Sequence, residues 1–111
     1  MDNALALRRA SRLLQLMGNE RRLIVLYSLA ERELSVGELA ERVGLSQSAL
    51  SQHLAKLRRD GLVRTRRHRQ TIFYALAGPE VVHILAAVTQ LYGSRVVIPM
   101  PASNSITAIA S

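Results

Sequence analysis

Cysteine is absent from the 111 residues, which excludes disulfides, thiolate metal ligands, thiol redox switches and cysteine nucleophiles together. Long apolar runs are missing as well: the longest, Val81 to Leu91, is too short to span a bilayer and contains His83 and Gln90. Arg8, Arg9 and Arg12 interrupt the apolar residues near the N-terminus, so no secretory leader is expected and a cytoplasmic protein without a membrane partner is. Nor is there a serine on a glycine elbow, a glycine-rich phosphate loop or a recognisable pair of acid–base carboxylates, so no catalytic residue is assigned and an enzyme is not expected. No internal repeat is evident.

What the chain does hold is positive charge, and it is concentrated. Of the formal +7, a net +6 falls between Lys56 and Arg69, where Lys56, Arg58, Arg59, Arg64, Arg66, Arg67 and Arg69 face the single Asp60. Charge confined in this way is a local device for meeting a polyanion rather than a solubilising coat. With an apolar content of 49%, high for one small domain, part of the apolar surface is expected to close against a second copy.

The order of elements frames that basic stretch. Leu5, Leu13, Leu14, Leu16 and Met17 fall at helical spacings from about Asn3 to Met17, and Gly18 ends the helix. Asn19 is a good cap for a second helix, Glu20 to Ala30, apolar on nearly every side and therefore buried. Ser35-Val36-Gly37-Glu38 reads as a capping box opening a third helix through about Val43. Gly44-Leu45-Ser46 breaks the chain before a fourth helix, from Ser46 or Gln47 to Arg59, which Gly61 stops. Two short helices about a glycine turn are a helix-turn-helix pattern. The period then becomes extended over Leu62–Arg67 and Gln70–Leu76, with a loose turn expected at His68-Arg69 because Asn-Gly or Asp-Gly is lacking. Gly78-Pro79 opens a last helix to about Tyr92. The expected fold is mainly α (α+β): a winged helix-turn-helix with a two-stranded β wing over residues 1–93, followed by a flexible tail, 94–111.

On a helical wheel the fourth helix puts Leu50, Leu54 and Leu57 on one side and Ser48, Ser51, Gln52, Ala55 and Arg59 on the other. Short polar side chains let a helix approach a major groove, and a glutamine amide can pair bidentately with adenine. Gln47, Ser48, Ser51 and Gln52 are therefore the candidate base readers. Ser46, Lys56, Arg58, Arg59, Arg64, Arg66, Arg67 and Arg69 are the candidate phosphate contacts, and the partner is double-stranded DNA. The bland reading, a cap and a solvated face, fits the helix alone but leaves the adjoining basic hairpin without a purpose. A protein-docking or RNA-binding module is the alternative from another class.

The histidines have mundane readings: His53 as a hydrogen-bonded packing residue on the core-side flank, His68 exposed at the wing tip, and His83 with only Glu80 one turn away. No metal or other cofactor is assigned, although an effector-responsive variant would place a metal at His83 and Glu80 or a small acid near a dimer seam.

The runs Glu33-Leu34-Ser35-Val36-Gly37-Glu38-Leu39-Ala40, Gly44-Leu45-Ser46-Gln47-Ser48-Ala49-Leu50-Ser51-Gln52-His53-Leu54, Leu57-Arg58-Arg59-Asp60-Gly61-Leu62-Val63 and Gln70-Thr71-Ile72-Phe73-Tyr74 closely resemble the ArsR/SmtB transcriptional regulators. The match spans about Met17 to Gly93 and looks closest to a branch of nodulation and virulence regulators. The resemblance implies a homodimeric repressor joined through its first and last helices, with Leu5, Leu13, Leu16, Val82, Leu85, Ala86 and Leu91 at the interface. It also exposes departures. Where metal-sensing relatives carry Cys-x-Cys, this chain has Ser35 and Gly37. Val81 stands in the Asp place before His83, and Ser94 and Val97 fall where a second ligand pair belongs. Thiol-switch positions hold Tyr27, Ala40 and Gly93. The resemblance therefore implies DNA binding without the usual metal or thiol sensor.

Overall fold

Leucines at helical spacing in a stretch free of glycine and proline produce α1, Asn3–Met17. In the computed structural model, which describes residues 3–93, α2 follows at Glu20–Glu31 with the Asn19 Oδ1 accepting from the Arg22 N–H at 3.0 Å. Such a cap contributes about 1 kcal/mol. The Arg22 Nε then folds back onto the Leu16 carbonyl at 2.7 Å, satisfying an orphan acceptor in the last turn of α1 and fixing how the two helices meet.

The capping box forms as expected at the start of α3, Val36–Val43: the Ser35 Oγ accepts from the Glu38 N–H at 3.2 Å, and the Ser35 N–H donates to Glu38 Oε1 at 2.9 Å. Gly44 turns the chain at φ +74, a left-handed conformation that side chains resist, and its N–H reaches the Ala40 carbonyl at 2.9 Å. Arg21 clasps the same corner by donating from Nη1 to the Val43 carbonyl at 2.8 Å. The corner therefore holds α4, Gln47–Arg59, at a fixed angle to α3.

Beyond Gly61 (φ +77) the chain becomes extended. The strands β2, Val63–His68, and β3, Thr71–Leu76, pair antiparallel from Val63↔Leu76 to His68↔Thr71. That register moves the turn one residue from where the sequence placed it, making Arg69 and Gln70 the loop. Arg69 takes the positive φ (+58) that a two-residue hairpin requires, and the ladder closes up to the turn instead of ending loosely. In this register Val63 faces inward and Thr65 is half-buried, while Arg64 and Arg66 stay exposed. A short third strand, β1, Leu34–Ser35, was not foreseen; it pairs with β3 through Leu34↔Tyr74 and Ser35↔Phe73, giving the order β1-β3-β2. The last helix, α5, Pro79–Tyr92, has proline at its first position as expected.

Val25, Leu26, Leu34, Leu39, Leu50, Leu57 and Leu85 form a core with no exposed area. Tyr27 anchors α5 to it: its hydroxyl donates to the Leu85 carbonyl at 3.1 Å and lies 2.9 Å from the Thr89 Oγ1, which meets the need of a buried phenol. Two residues read as facing a second copy are placed differently, because Leu16 and Leu85 close this protomer's own core and present almost no surface. Among the described residues no helix is long and apolar enough to cross a membrane. The tail expected over 94–111, with Ser94 and Val97, lies outside the described residues.

Candidate nucleic-acid interface

α4 is two-sided in the manner its sequence demands. Leu50, Leu54 and Leu57 are buried at 0–1% exposure, whereas Gln47, Ser48, Ser51, Gln52, Ala55 and Lys56 are all exposed. The buried stripe clamps the helix to the core, so the polar side chains are presented from a rigid element. Ser46 is committed to its own helix: its Oγ accepts from the Ala49 N–H at 3.2 Å and lies 3.3 Å from the Ser48 Oγ. Its phosphate role is thereby limited to what the capped helix start can offer beside it.

Toward the C-terminus of α4, Arg58 and Arg59 project beside a shallow recess of about 430 Å³ whose other lining residues are Ser51, Ala55 and Tyr74. Tyr74 comes from β3, so the recess joins the polar helix face to the wing. The one acid in the basic stretch is occupied elsewhere. Arg12 of α1 reaches Asp60 with Nη2 to Oδ2 at 3.0 Å and Nε to Oδ1 at 3.3 Å, and these bonds hold the Asp60 carboxyl below its usual pKa. An arginine from outside the cluster thus neutralises the only anion within it.

The wing arginines differ among themselves. Arg64, Arg67 and Arg69 are exposed and make no ion pair within hydrogen-bonding reach among the described residues. Arg66, in contrast, lies across the middle strand with its guanidinium 4.8 Å from the Phe73 ring centroid and donates to Glu33: Nη2 to Oε1 at 2.6 Å and Nε to Oε2 at 3.1 Å. The same bonds hold the Glu33 carboxyl below its usual pKa, with a smaller contribution from Arg64. Sequence reading missed both Arg12–Asp60 and Glu33–Arg66, whose partners are 48 and 33 residues apart. No local pattern links them.

His53 is half-buried on the core-side flank of α4; burial, and then the charges of Arg22 and Lys56, lower its pKa. The hydrogen bond expected of it is not made to any described residue. His68 and His83 are exposed, and the described residues contain no group of three His, Asp or Glu side chains placed to hold a metal. Of the residues read as dimer contacts, Leu5 and Leu91 are exposed and Leu13, Val82 and Ala86 half-buried. Leu7, Leu14 and Tyr92 extend the exposed apolar set beyond what was anticipated.

Residues 19–65 match the family described as "Bacterial regulatory protein, arsR family". The chain is 59% identical over 80 residues to the transcriptional activator HlyU of Vibrio cholerae, covering 72% of this chain and 74% of that protein. It is 52% identical over 84 residues to the nodulation protein NolR of Rhizobium meliloti, covering 76% and 69% respectively. Its fold superposes with a TM-score of 0.76, at 29% identity and with 86% and 90% coverage, on the homodimeric winged helix-turn-helix DNA-binding domain of Mb0332 from Mycobacterium bovis.

Proposed function

The chain belongs to the arsR family of bacterial transcriptional regulators, and on that premise we propose that it acts in the cytoplasm, at the nucleoid, as a homodimer that recognises one pseudo-palindromic DNA operator. The observation that carries this reading is the exposed polar face of α4, clamped from behind by three buried leucines and bordered by cations. Gln47, Ser48, Ser51 and Gln52 read base edges in the major groove. Lys56, Arg58, Arg59, Arg64, Arg67 and Arg69 grip phosphates, with Ser46 contributing through the capped helix start and Arg66 joining them once it leaves Glu33.

Two-fold pairing through α1 and α5 sets two such helices about one turn of DNA apart, roughly 10 bp. The homodimeric neighbour supports a dimer, and the exposed Leu5, Leu7, Leu14, Leu91 and Tyr92 support its use of α1 and α5. Repression follows where the operator overlaps a promoter, because a bound dimer occludes it. The absence of cysteine removes a thiol sensor, and the proposal assigns no metal to His83. DNA occupancy is then set by protein concentration and operator sequence.

Selection of bound fragments from the host genome, followed by titration of the recovered duplex against a random duplex of equal length, tests the proposal. A preference of about 10³-fold or more is expected. Equal affinity for both duplexes would overturn it.

A further inference from the structure

Arg66 is the wing cation with a partner already in place, and the way it is held bears on how tightly the protein binds DNA. The ladder sets Arg66 opposite Phe73, and Phe73 opposite Ser35, so these three residues form one row across the sheet. Side chains in a row share a face of the sheet, and Glu33, two residues before Ser35, adjoins that face. The Arg66 stem crosses the central strand, its guanidinium lies over the Phe73 ring, and it meets Glu33 through two nitrogens. A planar guanidinium bound by two oxygens of a carboxylate has the geometry with which it would bind two oxygens of a phosphate. Glu33 therefore engages the same guanidinium edge that Arg66 would offer to a phosphate.

We propose that Glu33 is a built-in competitor for Arg66, limiting the affinity of the wing for DNA because Arg66 gains a phosphate only by giving up this carboxylate. The inference rests on the DNA-binding reading above. It makes Glu33 a positioning residue, acting on DNA through Arg66 alone. The pair is exposed, with Arg66 at 48% and Glu33 at 32% side-chain exposure, so the exchange requires no rearrangement of the core. Deleting the carboxylate charge leaves Arg66 ready for phosphate at no exchange cost. Affinity should rise, the opposite of what a purely structural clamp on the wing would give.

The full-length protein, Glu33→Gln, Arg66→Gln and the double variant are titrated with the selected duplex and with a random duplex across a salt series. Glu33→Gln is expected to tighten binding to both by about 1.5- to 5-fold per protomer, the range spanned by exposed ion pairs. It should also steepen the slope of log K against log salt by up to about 0.9 per protomer. In the Arg66→Gln background the same substitution should change neither. Weaker or unchanged binding by Glu33→Gln would overturn the proposal, as would a gain that persists in full without Arg66, since that would be a general charge effect. The unsubstituted protein separates this inference from its premise: if it shows no preference between the duplexes, the function assigned above fails first.

Discussion

α1 and α4 are built from the same materials, leucines and arginines at helical spacing, and the structure uses them in opposite ways. α4 buries Leu50, Leu54 and Leu57 against α2, α3 and β2 and turns its polar side outward. α1 seats Leu16 and Met17 on the core yet leaves Leu7 and Leu14 at 72% and 58% exposure. Apolar periodicity announces that a face must be covered without saying by what. In α4 the cover is the protomer itself, which makes the opposite face a rigid platform. In α1 the protomer leaves part of the face uncovered, and the dimer proposed above would cover it with a second copy by two-fold symmetry.

Substitutions on the two helices should separate these uses. The largest effect is expected from Leu54→Ala, which empties a fully packed site in α4 and should cost about 2–5 kcal/mol of folding stability by chemical denaturation. A loss below about 1 kcal/mol would mean that the stripe of α4 is not the clamp assigned to it. On the other side of the same helix, Gln52→Ala should leave stability nearly unchanged while weakening the selected duplex by about 1–3 kcal/mol and random DNA little. Equal weakening of both duplexes would remove Gln52 from base reading.

Placing charge on α1 with Leu7→Glu and Leu14→Glu should raise the dimer dissociation constant by tenfold or more, about 1.4 kcal/mol or above. Sedimentation would follow this change, with helix content by circular dichroism preserved. An unaltered dimer would move the interface away from α1. The smallest shift concerns Arg67, which has no ion-pairing acid among the described residues: Arg67→Gln should lower the magnitude of the salt slope by about 0.9 per lost phosphate contact. An unchanged slope would exclude that side chain from the interface.

Much of this fold was legible in the sequence because its signals are local. Asn19, the Ser35/Glu38 box, Gly44, Ser46 and Pro79 each act within one helical turn, and every helix formed where they placed it. The polar face of α4 was equally plain, since its spacing and that of the buried leucines are the same fact read from two sides.

What escaped was non-local. β1 spans two residues, too few to show a period, and exists because β3 offers it an edge. The hairpin turn moved by one residue because pairing along the whole β2–β3 ladder places it, and Arg69, which takes the positive φ, carries none of the Asn-Gly or Asp-Gly signal that would have marked it. Leu16 and Leu85 were placed at a partner by the family resemblance, which assigns whole helices to an interface and does not say which of their residues the protomer's own core takes up. The pairs Arg12–Asp60 and Glu33–Arg66 join residues far apart in the chain, so counting charges treated seven cations as equivalent when one of them is already engaged.

The most direct test is a hydroxyl-radical footprint of the full-length protein on its selected genomic duplex. Two-fold docking of paired α4 helices predicts two protected patches on each strand, related by symmetry and centred about one helical turn apart, roughly 10 bp. A single unsymmetrical patch, or even protection along the whole duplex, would contradict it.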